Sequence, residues 1–100
     1  MKLEIQGDTL RISDVKELGA AVAPAFRDSA RAALSDEQRN IEVDLSQTTF
    51  VDSAGLGALI ALHKTARSRQ GAVRLLDPQP QVRQLLELTR MHHLFEIATR

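Results

Sequence analysis

The sequence predicts an α/β fold: a mixed sheet of about four strands with helices mainly on one face, in the order β-β-α-β-α-β-α plus a short C-terminal segment. Two observations carry this expectation. Apolar residues alternate with polar ones in several short runs, and between those runs they recur at the three- and four-residue spacing of a helix. Strand, helix and strand in succession, twice over, imply right-handed crossovers and some parallel pairing. At 100 residues and 11.0 kDa the chain has the size of one domain, read as spanning residues 1–100.

The elements follow in order. Leu3 and Ile5 alternate with Lys2, Glu4 and Gln6, and Leu10 and Ile12 alternate with Thr9 and Arg11. Gly7-Asp8 lies between them, where a tight hairpin wants a residue tolerant of positive φ. Val22, Phe26, Ala30, Ala33 and Leu34 share one helical face, giving a helix over roughly 20–34. Pro24 is compatible with that helix only near its start, where the amides have no intrahelical acceptor. Residues 35–38 are polar and read as a loop. Ile41, Val43 and Leu45 alternate with Glu42, Asp44 and Ser46, the clearest strand in the chain. Phe50 and Val51 follow a polar step. Leu56, Leu59, Ile60 and His63 then fall at i, i+3, i+4 and i+7 of a helix that ends near Arg69, Gln70 and Gly71, with Gly71 as the stop signal. Val73, Leu75 and Leu76 form another strand. Asp77 is the expected N-cap and Pro78 the first residue of the next helix, whose apolar face is Val82, Leu85, Leu86 and Thr89. Met91, Leu94, Phe95 and Ile97 close the chain as an apolar tail without an assigned form.

Composition narrows the function. Thirteen Lys and Arg balance thirteen Asp and Glu, which argues against a chain built to neutralise nucleic-acid phosphates. The three aromatic residues are all Phe, so a base-stacking surface is not expected. Cysteine is absent, which removes disulfides, thiolate metal sites and a Cys nucleophile. Neither a membrane span nor a signal peptide is visible, and the expected location is the cytoplasm. No pair of carboxylates falls into a recognisable acid–base arrangement, and no cofactor motif is present, so the chain is not expected to be an enzyme.

The informative segment is residues 49–60. It places the Ser53 hydroxyl at a strand-to-helix junction, followed by Ala54, Gly55, Leu56 and Gly57. Ser53 can serve as N-cap, accepting from an amide two or three residues on. Two glycines in the first helical turns cost roughly 1 kcal/mol each relative to Ala, which a helix start with a purely structural task would not need. A bare helix start admits close approach by a phosphate or a protein. By spacing alone, then, Ser53 is either a simple cap or a functional hydroxyl. Neither the Gly-x-Ser-x-Gly turn of a hydrolase nor a Gly-x4-Gly-Lys-Ser/Thr phosphate loop is present.

The run Ile41, Glu42, Val43, Asp44, Leu45, Ser46, followed by Phe50-Val51-Asp52-Ser53-Ala54-Gly55-Leu56-Gly57, resembles the signature of the STAS domain, the family that includes bacterial anti-sigma factor antagonists. The likeness extends through residues 71–76, Val82 to Leu86 and Leu94 to Ile97. It implies a STAS fold and assigns phosphorylation to Ser53. It further implies a partner-binding surface from Asp52, Ser53, Ala54, Gly55, Leu56 and Gly57, with an acidic residue contributed by the turn before the first helix. That turn departs from the family's Gly-Glu-Leu-Asp pattern, reading Ile12 to Ala20, and Asp14 stands in for the acid. The tail lacks much of the final helix common in relatives. The implied partners are an anti-sigma factor serine kinase and a PP2C-type serine phosphatase, with no nucleic acid and no membrane insertion, the chain itself being a monomer or weak dimer. Asp52 either orients the Ser53 hydroxyl, acts through a metal held by the partner, or is a second cap at the same helix start. Two other functions stay open: a docking subunit of a lipid-transport ATP-binding complex, and an accessory protein of a chemotaxis or stress-signalling assembly.

The remaining candidates read as structural. His63 lies on an apolar stripe and is expected in the core rather than as a ligand. His92 and His93 are adjacent, so their side chains are expected to diverge, and no metal site follows. Arg67, Arg69 and Arg74 read as a solvated basic edge.

Overall fold

A computed structural model of the chain describes residues 1–99. In chain order these form β1 (Lys2–Gln6), β2 (Thr9–Ser13), β3 (Glu17–Leu18), α1 (Ala23–Ala33), β4 (Asn40–Asp44), β5 (Phe50–Val51), α2 (Ser53–Ser68), β6 (Val73–Leu76), α3 (Pro80–Leu88), a 3₁₀ turn (Met91–His93) and β7 (Glu96–Ala98). The main sheet has the order β1-β2-β4-β6-β7. β1 is antiparallel to β2, and every other pair is parallel. The tail supplies the fifth strand: Leu75 lies opposite Ile97 in the β6–β7 register. β3 and β5 pair in a separate parallel ribbon, Glu17 opposite Phe50 and Leu18 opposite Val51. Such short pieces are too brief to show a period in sequence.

From β2 to β7 the spatial order follows the chain order, so each crossover steps the same way. Right-handed connections then put α1, α2 and α3 on one face. Burial agrees with this one-sided cover. Leu10, Ile12, Ile41, Val43, Val73 and Leu75 are buried beneath the helices with Phe26, Leu59, Leu62, Val82 and Leu86. The alternate residues line the uncovered face, where Arg11 pairs with Glu42 and Asp44 at 3.3 Å each, and Arg74 with Glu42 at 3.5 Å and Glu96 at 3.6 Å. Arg74 is thus part of a charge ladder. Arg69 donates to the Gln38 carbonyl at 2.8 Å and ties down the loop before β4. Neither is a free basic edge.

The hairpin turns at Gly7 with φ +63, and Gln6 lies opposite Thr9. α1 begins at Ala23, later than 20, because residues 19–22 form a turn in which the Gly19 carbonyl accepts from Val22 and Ala23. Pro24 falls in the first helical turn, as its missing amide requires. α2 ends in a Schellman motif, but Gln70 rather than Gly71 takes the left-handed position (φ +62), with Gly71 N–H donating to the Ala66 carbonyl at 2.8 Å. Gly71 serves a different end: a Cβ there would lie 1.9 Å from the Arg39 carbonyl oxygen. The cap-and-proline start of α3 is displaced by two residues, with Gln79 as N-cap and Pro80 first in the helix. Asp77 is left-handed and its N–H donates to the Ala98 carbonyl at 2.8 Å, so β7 holds the chain off the helix at that point. Among the described residues no helix is long and apolar enough to cross a membrane.

Candidate functional site

The loops that follow β2, β4 and β6 all gather at the C-terminal ends of the parallel strands, the end at which sheets of this kind expose their sites. β5 delivers the chain there and holds Asp52 extended (φ −113, ψ −172), the conformation an N-cap needs. One Asp52 carboxylate oxygen accepts from Gly55 N–H at 3.0 Å. The other accepts from Ala20 N–H at 3.0 Å. The single side chain therefore caps α2 and staples its start to the turn before α1. The Gly55 N–H foremost, with the Ala20 and Ala54 amides, holds the carboxyl below its ordinary value of 3.8, so it is ionised at neutral pH.

Of the two readings left open for Ser53, the cap is not the one realised, because Asp52 fills that place. Ser53 is the first helical residue, and its hydroxyl is exposed with no hydrogen-bond partner among the described residues. A carboxylate offers two oxygens set apart where a hydroxyl offers one, and the site uses both. The consequence is chemical: Asp52 satisfies the helix end, and the Ser53 oxygen stays available.

The glycines that follow divide by role. A Cβ on Gly55 would lie 1.9 Å from the Leu18 carbonyl oxygen, so Gly55 lets α2 meet β3. Gly57 is exposed, and a Cβ there would meet nothing within 4 Å. Leu56 is turned inward at 5% exposure and belongs to the core, so its side chain is withdrawn from any partner. Ser53, half-buried Ala54 and Gly57 remain as the presented surface. Beside them runs a groove of about 320 Å³ between the starts of α1 and α2, floored by Ala20, Ala23, Ala54 and Ala58 and edged by Pro24 and Arg27. Phe50, half exposed, lays its ring over Gly19, whose missing Cβ would stand 2.7 Å from it.

Asp14 sits at the same end of the sheet but not in that groove. It is left-handed (φ +58) and pairs with Lys16 at 3.6 Å. It borders a second hollow of about 430 Å³ lined by Val15, Leu18, Val22 and Phe26, on the other side of the first turn of α1. Sequence reasoning missed Ala20, Ala23, Arg27 and Phe50. The signal was present as small residues and Arg27 on one helical stripe, and as an apolar Phe at a strand end.

His63 is half-buried, with its ring edge-on to Phe95 at 5.8 Å, a core contact. The His92 and His93 rings do not diverge. Their centroids are 3.9 Å apart, side by side on the 3₁₀ turn.

The chain and its fold have counterparts among known proteins. An anti-sigma-B factor antagonist of Listeria monocytogenes is 27% identical over 90 residues, 90% of this chain and 79% of that protein. A STAS-domain containing protein of Pseudomonas aeruginosa is 32% identical over 73 residues, 73% of this chain and 71% of its own length. The anti-sigma factor antagonist SpoIIAA in its unphosphorylated form superposes with a TM-score of 0.84 at 23% identity, covering 99% of this chain and 88% of that one. The phosphorylated form of the same Bacillus protein gives 0.72 at 21% identity, covering 99% and 91%. The family model described as "Mlab, STAS domain" matches residues 1–96. With nearly the whole chain matched, this protein belongs to the STAS domain family.

Proposed function

We propose that this protein is an anti-sigma factor antagonist whose partner is an anti-sigma factor serine kinase in the cytoplasm. In this reading it is a regulatory binding protein and the substrate of the kinase. The observation that carries the reading is the division of labour at the start of α2. Asp52 takes the capping bonds, and the Ser53 hydroxyl is exposed and unbonded. In the kinase complex the Ser53 oxygen attacks the γ-phosphorus of ATP held by the partner. The new O–P bond forms as the bond to the bridging oxygen breaks, ADP leaves, and the hydroxyl proton passes to a base of the kinase. A PP2C-type phosphatase reverses the state by hydrolysis, returning Ser53 and inorganic phosphate.

The phosphate adds about −1.5 to −2 charges. The helix N-terminus tolerates them, but the ionised Asp52 lies next in sequence, so the surface that met the kinase becomes strongly anionic. A partner surface shaped for a bare hydroxyl and a small-residue groove then rejects it, and no refolding is needed. Likeness to antagonists from Listeria and Bacillus supports the reading. Asp14, on the far side of α1, is a secondary contact in it. The test is the intact mass after incubation with ATP and the cognate kinase. One added phosphate is expected on the natural chain and none on Ser53→Ala; an unmodified chain beside an active kinase would overturn the proposal.

A second reading is a docking subunit of a lipid-transport ATP-binding complex, with no phosphorylation. In it the partner docks on the same groove between α1 and α2, which needs no modification. Full activity of Ser53→Ala, with unchanged partner affinity for Ser53→Asp, would select it.

A further inference from the structure

The main sheet ends on one side in β1, which among the described residues pairs only with β2 and carries neither proline nor bulge. Free edges of this kind template pairing with another strand. In the two-residue hairpin, Gln6 and Thr9 close the turn as a hydrogen-bonded pair, and such pairs alternate along an antiparallel ladder. The backbone groups of Lys2, Glu4 and Gln6 therefore point at β2, and those of Leu3 and Ile5 point outward. On the helix-covered side of this edge, Leu3 is half-buried and Ile5 remains 50% exposed.

We propose that two copies of the chain pair antiparallel through β1, Leu3 opposite Leu3 of the second copy, joining two five-stranded sheets into one. Parity and charge select this register. It places outward-bonding residues opposite each other, Leu3 with Leu3 and Ile5 with Met1, so both chains exchange backbone hydrogen bonds. It also places Lys2 opposite Glu4 of the second copy, twice, in the close non-hydrogen-bonded positions. Lys2 and Glu4 already pair within the strand at 2.9 Å, so the dimer closes an alternating ring of four charges. The neighbouring registers of the same parity set Lys2 against Lys2 or Glu4 against Glu4, and directly opposed like charges are unfavourable. The half-exposed Met1 and Ile5 meet on the opposite face. An isologous contact follows from the two-fold symmetry. So few residues make it a small interface and a reversible one.

Sedimentation equilibrium and amide hydrogen exchange test this. The mass should rise from monomer toward dimer with concentration. The Leu3 and Ile5 amides should gain protection over the same range, while the Glu4 amide, already bonded to β2, stays protected throughout. Glu4→Lys should weaken association at least tenfold, and Lys2→Glu combined with Glu4→Lys should restore it. A monomer at every concentration, association without new protection at Leu3 and Ile5, or a dimer indifferent to Glu4→Lys would each overturn the proposal.

Discussion

Asp52 and Ser53 are neighbours with separate tasks, and single substitutions should separate them. Ser53→Ala removes no hydrogen bond of the described structure. It should unfold within about 0.5 kcal/mol of the natural chain, the range of a surface change, yet accept no phosphate. Asp52→Ala removes both the Gly55 and the Ala20 bonds and should lower the melting temperature by several degrees, more than Ser53→Ala does; thermal unfolding of the two side by side checks this. The Asp52 carboxyl is depressed below 3.8 by the amides it accepts from, so its contribution is fully present above that value. It is lost as pH falls through the lower folded value. Acid unfolding of Asp52→Asn should accordingly show a shallower loss of stability below pH 4 than the natural chain. Equal slopes would mean that the carboxylate contributes nothing through its charge.

At the scale of the element, the start of α2 carries two glycines with opposite consequences. Gly55→Ala forces a Cβ into the Leu18 carbonyl at 1.9 Å. Backbone cannot yield there as a side-chain tip would, so the β3–β5 ribbon should detach from α2, seen as lost stability and altered amide shifts from Leu18 to Asp52. Gly57→Ala meets open space within a helix and should stabilise the fold by about 0.5–1 kcal/mol. If the bare surface serves a partner, the same substitution should weaken binding of the anti-sigma kinase, measured by calorimetry. A stabilised Gly57→Ala with unchanged binding would remove that residue from the interface.

For the whole molecule, the separation of core from site predicts that phosphate on Ser53 leaves the conformation unchanged. The main sheet is held by a continuous core from Leu10 to Phe95, and Ser53 lies outside it at the edge where the loops gather. Phosphorylated protein should keep its far-UV circular dichroism and a melting temperature within a few degrees. Its amide shift changes should be confined to residues 19–22 and 52–58. Changes spread through β1 or α3 would mean that the phosphate reorganises the fold. Ser53→Asp should weaken partner binding in the same direction as the phosphate.

By itself the sequence determined the elements whose periodicity is long enough to read: the hairpin at Gly7, the strands around Ile41 and Val73, the three helices and the one-sided sheet. Each follows from local geometry and apolar spacing, which a linear chain displays. It also marked Asp52 and Ser53, because a polar pair before two glycines conflicts with helix propensity. Tertiary structure decided which of the two is the cap. That depends on β5 holding Asp52 extended and on the Ala20 amide arriving from 32 residues away. It likewise decided that Leu56 faces inward, that the tail becomes a fifth strand against β6, and that Gly55 and Gly57 differ. Each of these rests on a neighbour distant in the chain, and the spacing of residues carries no information about what packs across the gap.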